Sequence, residues 1–202
     1  MRTHTLEGQE IVHSVGPRRM DFDRANQYLL DLKEVLDNAG VRFFLMFGTL
    51  LGAVRDEDFI EGDDDVDIGI FEKDMTVDKA EKYRVEIEKK GYGFYEGGVV
   101  DGVYNCFYIQ KPGYPCKVDA YAFRKKDDEY YVLKRATGGV WGIKYPAKYF
   151  SKLAPIKFKG TDYLTPAPAE EFLKYMWGTW WIAGNGQYGK QEFEEIPGGK
   201  WC

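Results

Sequence analysis

Histidine is almost absent. The 202 residues include two, His4 and His13, both within the first twenty positions and so outside the patterned core, and a histidine-ligated metal or a serine–histidine triad is not expected. Cysteine is scarce as well. Cys106, Cys116 and Cys202 form an odd set without metal-ligand spacing, which argues against a disulfide framework and fits thiols kept reduced inside a cell. Positive charge is in deficit: 28 Lys and Arg against 33 Asp and Glu leave a formal net charge of -5, whereas a nucleic-acid-binding domain ordinarily carries a basic face. Long hydrophobic runs are missing too. The longest uncharged apolar stretch, Phe43 to Val54, has twelve residues and two glycines, too short to span a bilayer, and the opening MRTHTLEGQE lacks the apolar core of a secretory leader. The expectation is a cytoplasmic protein with no integral membrane segment, membrane-peripheral at most, and with no nucleic acid among its partners.

What is abundant is aromatic: 16% of the residues are Phe, Trp or Tyr, enough to furnish a core and leave rings for a ligand pocket. A chain of this length is most simply one domain, able to bury roughly 70% of its unfolded surface, over 1–202, with 1–20 as an N-terminal segment and 179–202 as a glycine- and aromatic-rich tail. Apolar residues at Phe22, Ala25, Leu29, Leu32, Leu36 and Ala39 follow a helical period, with Asp21 as N-cap and Gly40 as the stop. Val41 to Phe47 reads as a buried strand, and Thr76 to Lys90 as a second helix. Strands follow at Phe94 to Glu96, Val103 to Gln110 and Lys117 to Phe123, the last two joined as a hairpin across Lys111 to Tyr114. Glu129 to Lys134, Thr137 to Lys144 and a hairpin at Ile156 to Leu164 come next, and Pro168 opens a helix that runs to Gly178. Whether the tail packs as a lid or stays loose is not decided by its sequence.

The stretch Gly48 to Asp67, GTLLGAVRDEDFIEGDDDVD, places a glycine-opened apolar turn and one arginine ahead of a run of carboxylates. From Asp65 the chain alternates, so that in a strand Val66, Ile68 and Ile70 share one face and Asp65 and Asp67 the other. Carboxylates two residues apart on a strand stand roughly 6.6 Å apart along it and repel unless a cation lies between them; a hard divalent ion with oxygen ligands is the natural counter-ion. Read alone, Asp63 to Asp65 could equally be a solvated turn. A merely solvated run, however, has no need to continue directly into a half-buried strand. Upstream, a helix N-terminus opened at Gly48 and Thr49 offers backbone amides to phosphate oxygens, and Arg55 a charged fork. On the strand from Lys117, Val118, Ala120 and Ala122 share one face and Lys117, Asp119, Tyr121 and Phe123 the other. Asp119 in mid-strand needs either a partner such as an arginine or a metal. Lys134, Arg135 and Lys144 are cations within reach of a diphosphate in principle, as exposed cations often are.

GTLLGAVR followed by GDDDVDIGI resembles the signature of the LicD and fukutin-like phosphotransferases, a branch of the nucleotidyltransferase-fold superfamily. The likeness is dense from Phe47 to Phe71 and thinner at KVDAYAF (Lys117 to Phe123) and YLTPAPAEEFLKYMWGTW. It implies an α/β (α+β) nucleotidyltransferase-like fold, a short mixed β-sheet flanked by helices. It also implies Asp65, Asp67 and Asp119 as metal ligands and catalytic residues and Mg2+ or Mn2+ as cofactor; the helix-start reading adds Gly48, Thr49 and Arg55 as the phosphate- or nucleotide-binding set, and Asp63, on the side of Asp65 if the strand begins early, stands behind the ligands. The implied reaction moves a phosphorylated alcohol such as phosphocholine or phosphoribitol from a CDP-linked donor to a glycan hydroxyl and releases CMP. Gly62 departs from the family pattern, which commonly has tryptophan there.

Three other readings remain. The same carboxylates would serve a nucleotidyltransferase that moves a nucleoside monophosphate from a triphosphate to a small hydroxyl compound. A DxD glycosyltransferase is disfavoured, because about sixty residues before the acidic run are few for a nucleotide-binding half. A calcium-binding module is suggested by Asp63, Asp65 and Asp67 at EF-hand spacing, but Ile68 stands where the loop wants glycine and Asp74 where it wants glutamate.

Overall fold

A computed structural model describes residues 2–6, 9–13, 20–136, 139–178 and 192–195, with side chains over 20–133 and 142–178. The order is β1 (Arg2–Leu6), β2 (Gln9–His13), α1 (Phe22–Asn38), β3 (Phe43–Leu45), α2 (Phe47–Arg55), β4 (Asp65–Phe71), α3 (Val77–Lys89), β5 (Gly93–Glu96), β6 (Val99–Val100), β7 (Val103–Tyr104), β8 (Cys106–Gln110), β9 (Lys117–Lys126), β10 (Glu129–Ala136), β11 (Gly139–Pro146), β12 (Ala154–Phe158), β13 (Thr161–Thr165), α4 (Ala169–Trp177) and β14 (Glu192–Glu195).

Local chemistry accounts for most boundaries. Asp21 caps α1 by accepting the Arg24 N–H at 3.2 Å, and the helix buries Ala25, Leu29, Leu32 and Leu36, the stripe its period predicts. Strand β3 is shorter than expected. Phe47 takes φ +44°, a left-handed conformation that bulky residues rarely adopt, and this ends the extended run one residue before Gly48. Thr76 sits at the N-cap position of α3 without a side-chain bond, while Asp74 accepts from Lys79 Nζ at 2.9 Å. The expected strand Val103 to Gln110 is broken at Asn105, whose N–H donates to the Gly98 carbonyl. The hairpin β12–β13 turns at Lys159 and Gly160, and β14, from the tail, pairs antiparallel with β11.

The main sheet is mixed. Its order is β14-β11-β10-β9-β4-β3, with β8 also beside β9, and β5 beside β8. Among the described strands β4 and β9 are its one parallel pair, from Asp65↔Lys117 to Phe71↔Phe123. One face buries Val66, Ile68, Ile70, Phe107, Val118 and Ala120 at 0% exposure beneath α1 and α3; Tyr83 of α3, for example, packs its ring 5.7 Å from Phe107. The other face is divided. Toward the end of β4 and β9 it fills with rings, Phe44 lying 4.9 Å from Phe123 and 5.5 Å from Phe150. Toward their beginning it carries half-buried polar groups, where the acidic residues lie. Among the described residues no helix is long and apolar enough to cross a membrane.

Candidate active site

Strand alternation and register assemble the site. Directly paired residues of adjacent strands project to the same face. The pairs Asp67↔Asp119 and Asp65↔Lys117 therefore put three carboxylates and one ammonium together. Carboxylate oxygens of Asp65, Asp67 and Asp119 lie within 4.8 Å of one another. Asp67 is buried at 8% exposure, and the Asp65 and Asp119 side chains are 22% and 13% exposed.

Three like charges this close need compensation. Lys117 Nζ supplies one positive charge, donating to Asp65 Oδ2 at 2.9 Å and also to Asp119 Oδ2. Burial works against the Lys117 ammonium, but Asp119 and Asp65 outweigh it and hold its pKa above the ordinary lysine value. Burial pushes Asp119 the opposite way for an acid, upward, against the pull of Lys117. Asp119 Oδ2 also accepts from Tyr121 OH at 3.3 Å, while its Oδ1 is buried without a hydrogen-bond partner. Three hard oxygen ligands, one of them with an unpartnered buried atom, and a single ammonium between them fit a hard divalent cation.

The start of α2 is tied to the same place. Met46 N–H donates to the Asp67 carbonyl at 3.1 Å, and Thr49 Oγ1 accepts the Asp67 N–H at 2.8 Å. The Thr49 hydroxyl oxygen thus holds Asp67 as an acceptor, and the first turn also offers a ligand backbone N–H groups, which have no carbonyl one turn back to bind. A Cβ on Gly48 would lie 2.4 Å from Asp63 Oδ2, so only glycine lets that carboxylate lie over the turn. Asp63 precedes β4 and forms with Asp64 and Asp65 a second group of oxygens within 4.8 Å. Burial first, then the Asp65 charge, pushes the Asp63 pKa up to about 6. Phe47, in its strained conformation, packs edge-on to Tyr121 at 5.2 Å, consistent with backbone strain gathering at functional turns.

Asp65, Asp67, Asp119, Gly48, Thr49 and Asp63 are therefore brought together. Arg55 ends α2, about 10 Å along the axis from Gly48, with its guanidinium on Asp56 at 2.7 and 2.5 Å. Lys144 pairs with Glu129 at 3.4 Å, and the side chains of Lys134 and Arg135 lie outside the described residues. The EF-hand reading is overturned, because Asp65–Phe71 is a sheet strand and not a calcium loop. Cys116 is buried and free, its thiol pushed up to about 12 by burial, which makes it inert; Cys202 lies outside the described residues. The sequence did place Lys117 and Tyr121 on the Asp119 face but gave them no role. That role comes from the Asp65↔Lys117 register, which no local pattern encodes.

Sheet, turn and carboxylates together are those of a nucleotidyltransferase-type transferase domain. Residues 40–168 match the family described as LicD/FKTN/FKRP, nucleotidyltransferase domain, and the chain belongs to that family. Ribitol 5-phosphate transferase FKRP of Mus musculus is 28% identical over 174 residues, covering 82% of this chain and 33% of that protein. The Homo sapiens protein of the same name is 29% identical over 153 residues, covering 71% and 29%. The chain thus spans about a third of the length of these curated relatives. Among solved structures, a lincosamide antibiotic adenylyltransferase, LnuA, superposes with a TM-score of 0.47 at 13% identity, covering 73% of this chain and 83% of that one.

Proposed function

We propose that this domain is a divalent-cation-dependent phosphotransferase that moves a phosphorylated alcohol, of the phosphoribitol or phosphocholine type, from a CDP-linked donor to a glycan hydroxyl and releases CMP. The observation that carries the proposal is the in-register pair Asp67↔Asp119 with Asp65 alongside, set against the first turn of α2. Two relatives named ribitol 5-phosphate transferases make CDP-ribitol the first donor to try.

Asp65, Asp67 and Asp119 are the residues that would hold Mg2+ or Mn2+. Bound there, the ion supplies charge neutralisation for the diphosphate and for the departing CMP. The backbone N–H groups of Gly48 and Thr49 orient phosphate oxygens at the helix start. Asp119 takes the proton from the acceptor hydroxyl. The hydroxyl oxygen forms the new bond to the phosphorus carrying the alcohol, and the bond from that phosphorus to the bridging oxygen breaks, so the electron pair leaves with CMP. Asp63 and Thr49 act as positioning residues, the one over the turn and the other on Asp67.

The test is product analysis with CDP-ribitol, CDP-choline, CTP and ATP, MgCl2 and a panel of methyl glycosides as acceptors. CMP from a CDP-linked donor, abolished in Asp67→Asn, is the expected result. Pyrophosphate from a triphosphate, with no CMP from either CDP-linked donor, would replace the proposal with nucleotidyl transfer.

A further inference from the structure

One rung of the sheet continues past the carboxylates. Asp67 pairs with Asp119, Asp119 with Tyr108 on β8, and Tyr108 with Tyr95 on β5, so all four side chains project to one face. The two tyrosine rings stack with centroids 4.6 Å apart and planes 10° from parallel. Both are half-buried, on the side of the sheet opposite α3. The pair is built into the strand: a Cβ on Gly93 would lie 2.6 Å from the Tyr95 ring, so the ring rests on a position where only glycine leaves room. Tyr95 covers one face of Tyr108. Toward the other, Lys117 Nζ lies 5.8 Å from the ring centroid while bonded to Asp65 and Asp119.

We infer that Tyr108, backed by Tyr95, is the subsite for a sugar ring of the acceptor. The inference rests on the phosphotransferase reading for the word acceptor, and on the tyrosine geometry for the site itself. Strands are spaced about 4.8 Å apart, so the tyrosines extend roughly 5 to 10 Å from the Asp119 strand, the reach of one or two pyranose rings. The C–H face of a sugar packs on an aromatic face, and sites for such ligands combine rings with a few fixed polar groups. Here the polar groups are Lys117 and Asp119, with Gln110 two residues along β8 on the same face.

Position selects the acceptor over the nucleotide base. In-line displacement sets the attacking and leaving oxygens on opposite sides of phosphorus. The α2 turn, the place for donor phosphates, touches Asp67 from the β3 side of the cluster. The tyrosines lie on the far side, beyond Asp119, where the incoming hydroxyl must be.

The experiment is saturation-transfer-difference NMR on the full chain with methyl α- and β-pyranosides of glucose, galactose, mannose, N-acetylglucosamine and N-acetylgalactosamine. It needs neither donor nor turnover. Wild type is expected to bind at least one glycoside, Tyr108→Ala to weaken that binding about fivefold or more, and Tyr108→Phe to retain it. Mn2+ binding in each variant reports that the carboxylate cluster is still assembled. Binding that is equal in Tyr108→Ala and wild type, or absent from wild type for every glycoside, overturns the subsite. Glycoside binding lost in Tyr108→Ala, in a protein that releases no CMP from any CDP-linked donor, would leave the subsite standing and remove the proposed reaction.

Discussion

Replacing Lys117 by methionine keeps the length of the side chain and removes its charge, leaving Asp65, Asp67 and Asp119 with their carboxylates facing one another. Breaking a fully buried ion pair costs about 3–5 kcal/mol. Here the Lys117, Asp65 and Asp119 side chains retain 27%, 22% and 13% exposure, so water screens part of the repulsion and a loss of about 2 kcal/mol is expected. For a chain of this size that is a fall in Tm of about 4–8 °C in chelator. Saturating Mg2+ should return the loss, since a ligand at about a hundred times its Kd contributes about 2.7 kcal/mol. In wild type the ion competes with an ammonium already in place, so Mg2+ should raise Tm less in wild type than in Lys117→Met. Thermal melts of both proteins with EDTA and with MgCl2 provide the four values. A variant as stable as wild type in EDTA, or an equal Mg2+ shift in both, would refute the view that Lys117 compensates the cluster.

Other expectations follow from single contacts. Gly48→Ala places a Cβ 2.4 Å from Asp63 Oδ2 and should cost about 1 kcal/mol as that carboxylate is turned from its rotamer; Asp63→Ala in the same chain should relieve most of that, which urea denaturation of the double-mutant cycle measures. Asp63 is held at about 6 in the fold against 3.8 as its ordinary value, so the native state binds its proton more tightly than the unfolded chain. That protonated form contributes stability below the unfolded value, and the contribution is lost as pH rises from about 4 to about 6. Urea midpoints in EDTA should therefore decline across that window, less steeply in Asp63→Asn. Thr49→Val leaves the buried Asp67 N–H without its acceptor at 2.8 Å and should lower stability by about 1–3 kcal/mol and weaken Mn2+ binding with it, a pair of effects that calorimetry and a melt resolve.

Much of the site was legible because its chemistry is periodic. The alternation in DVDIGI and KVDAYAF fixes an acidic face and an apolar face on each strand whatever the strand's neighbours are. What alternation leaves open is which strands are adjacent and in which register, and a slip of one residue would turn Asp119 to the apolar side. The parallel pairing of β4 and β9 is a tertiary fact, so the company of Asp67 and Asp119 was an expectation and the clamp by Lys117 was invisible. The start of α2 was displaced by one residue because Phe47 adopts a conformation that residue preference argues against. Arg55 joins the phosphate set in the sequence because it follows a glycine-opened helix start and offers a charged fork. In the structure Arg55 ends α2 and its guanidinium also engages Asp56, a local pairing that spacing does not reveal. The stacking of Tyr95 on Tyr108 is not legible in the sequence, because a pair formed across two strands leaves no trace in either.

The most direct test of the carboxylate centre is a Mn2+ titration, by electron paramagnetic resonance of the free ion, of wild type, Asp67→Asn and Asp119→Asn, each shown to be folded by its melt. Saturable binding in wild type, weakened at least tenfold in each variant, is what three oxygens within 4.8 Å on paired strands predict. A folded wild type that leaves Mn2+ free, or variants that bind it as tightly as wild type, would contradict the assignment of Asp65, Asp67 and Asp119 as a metal centre.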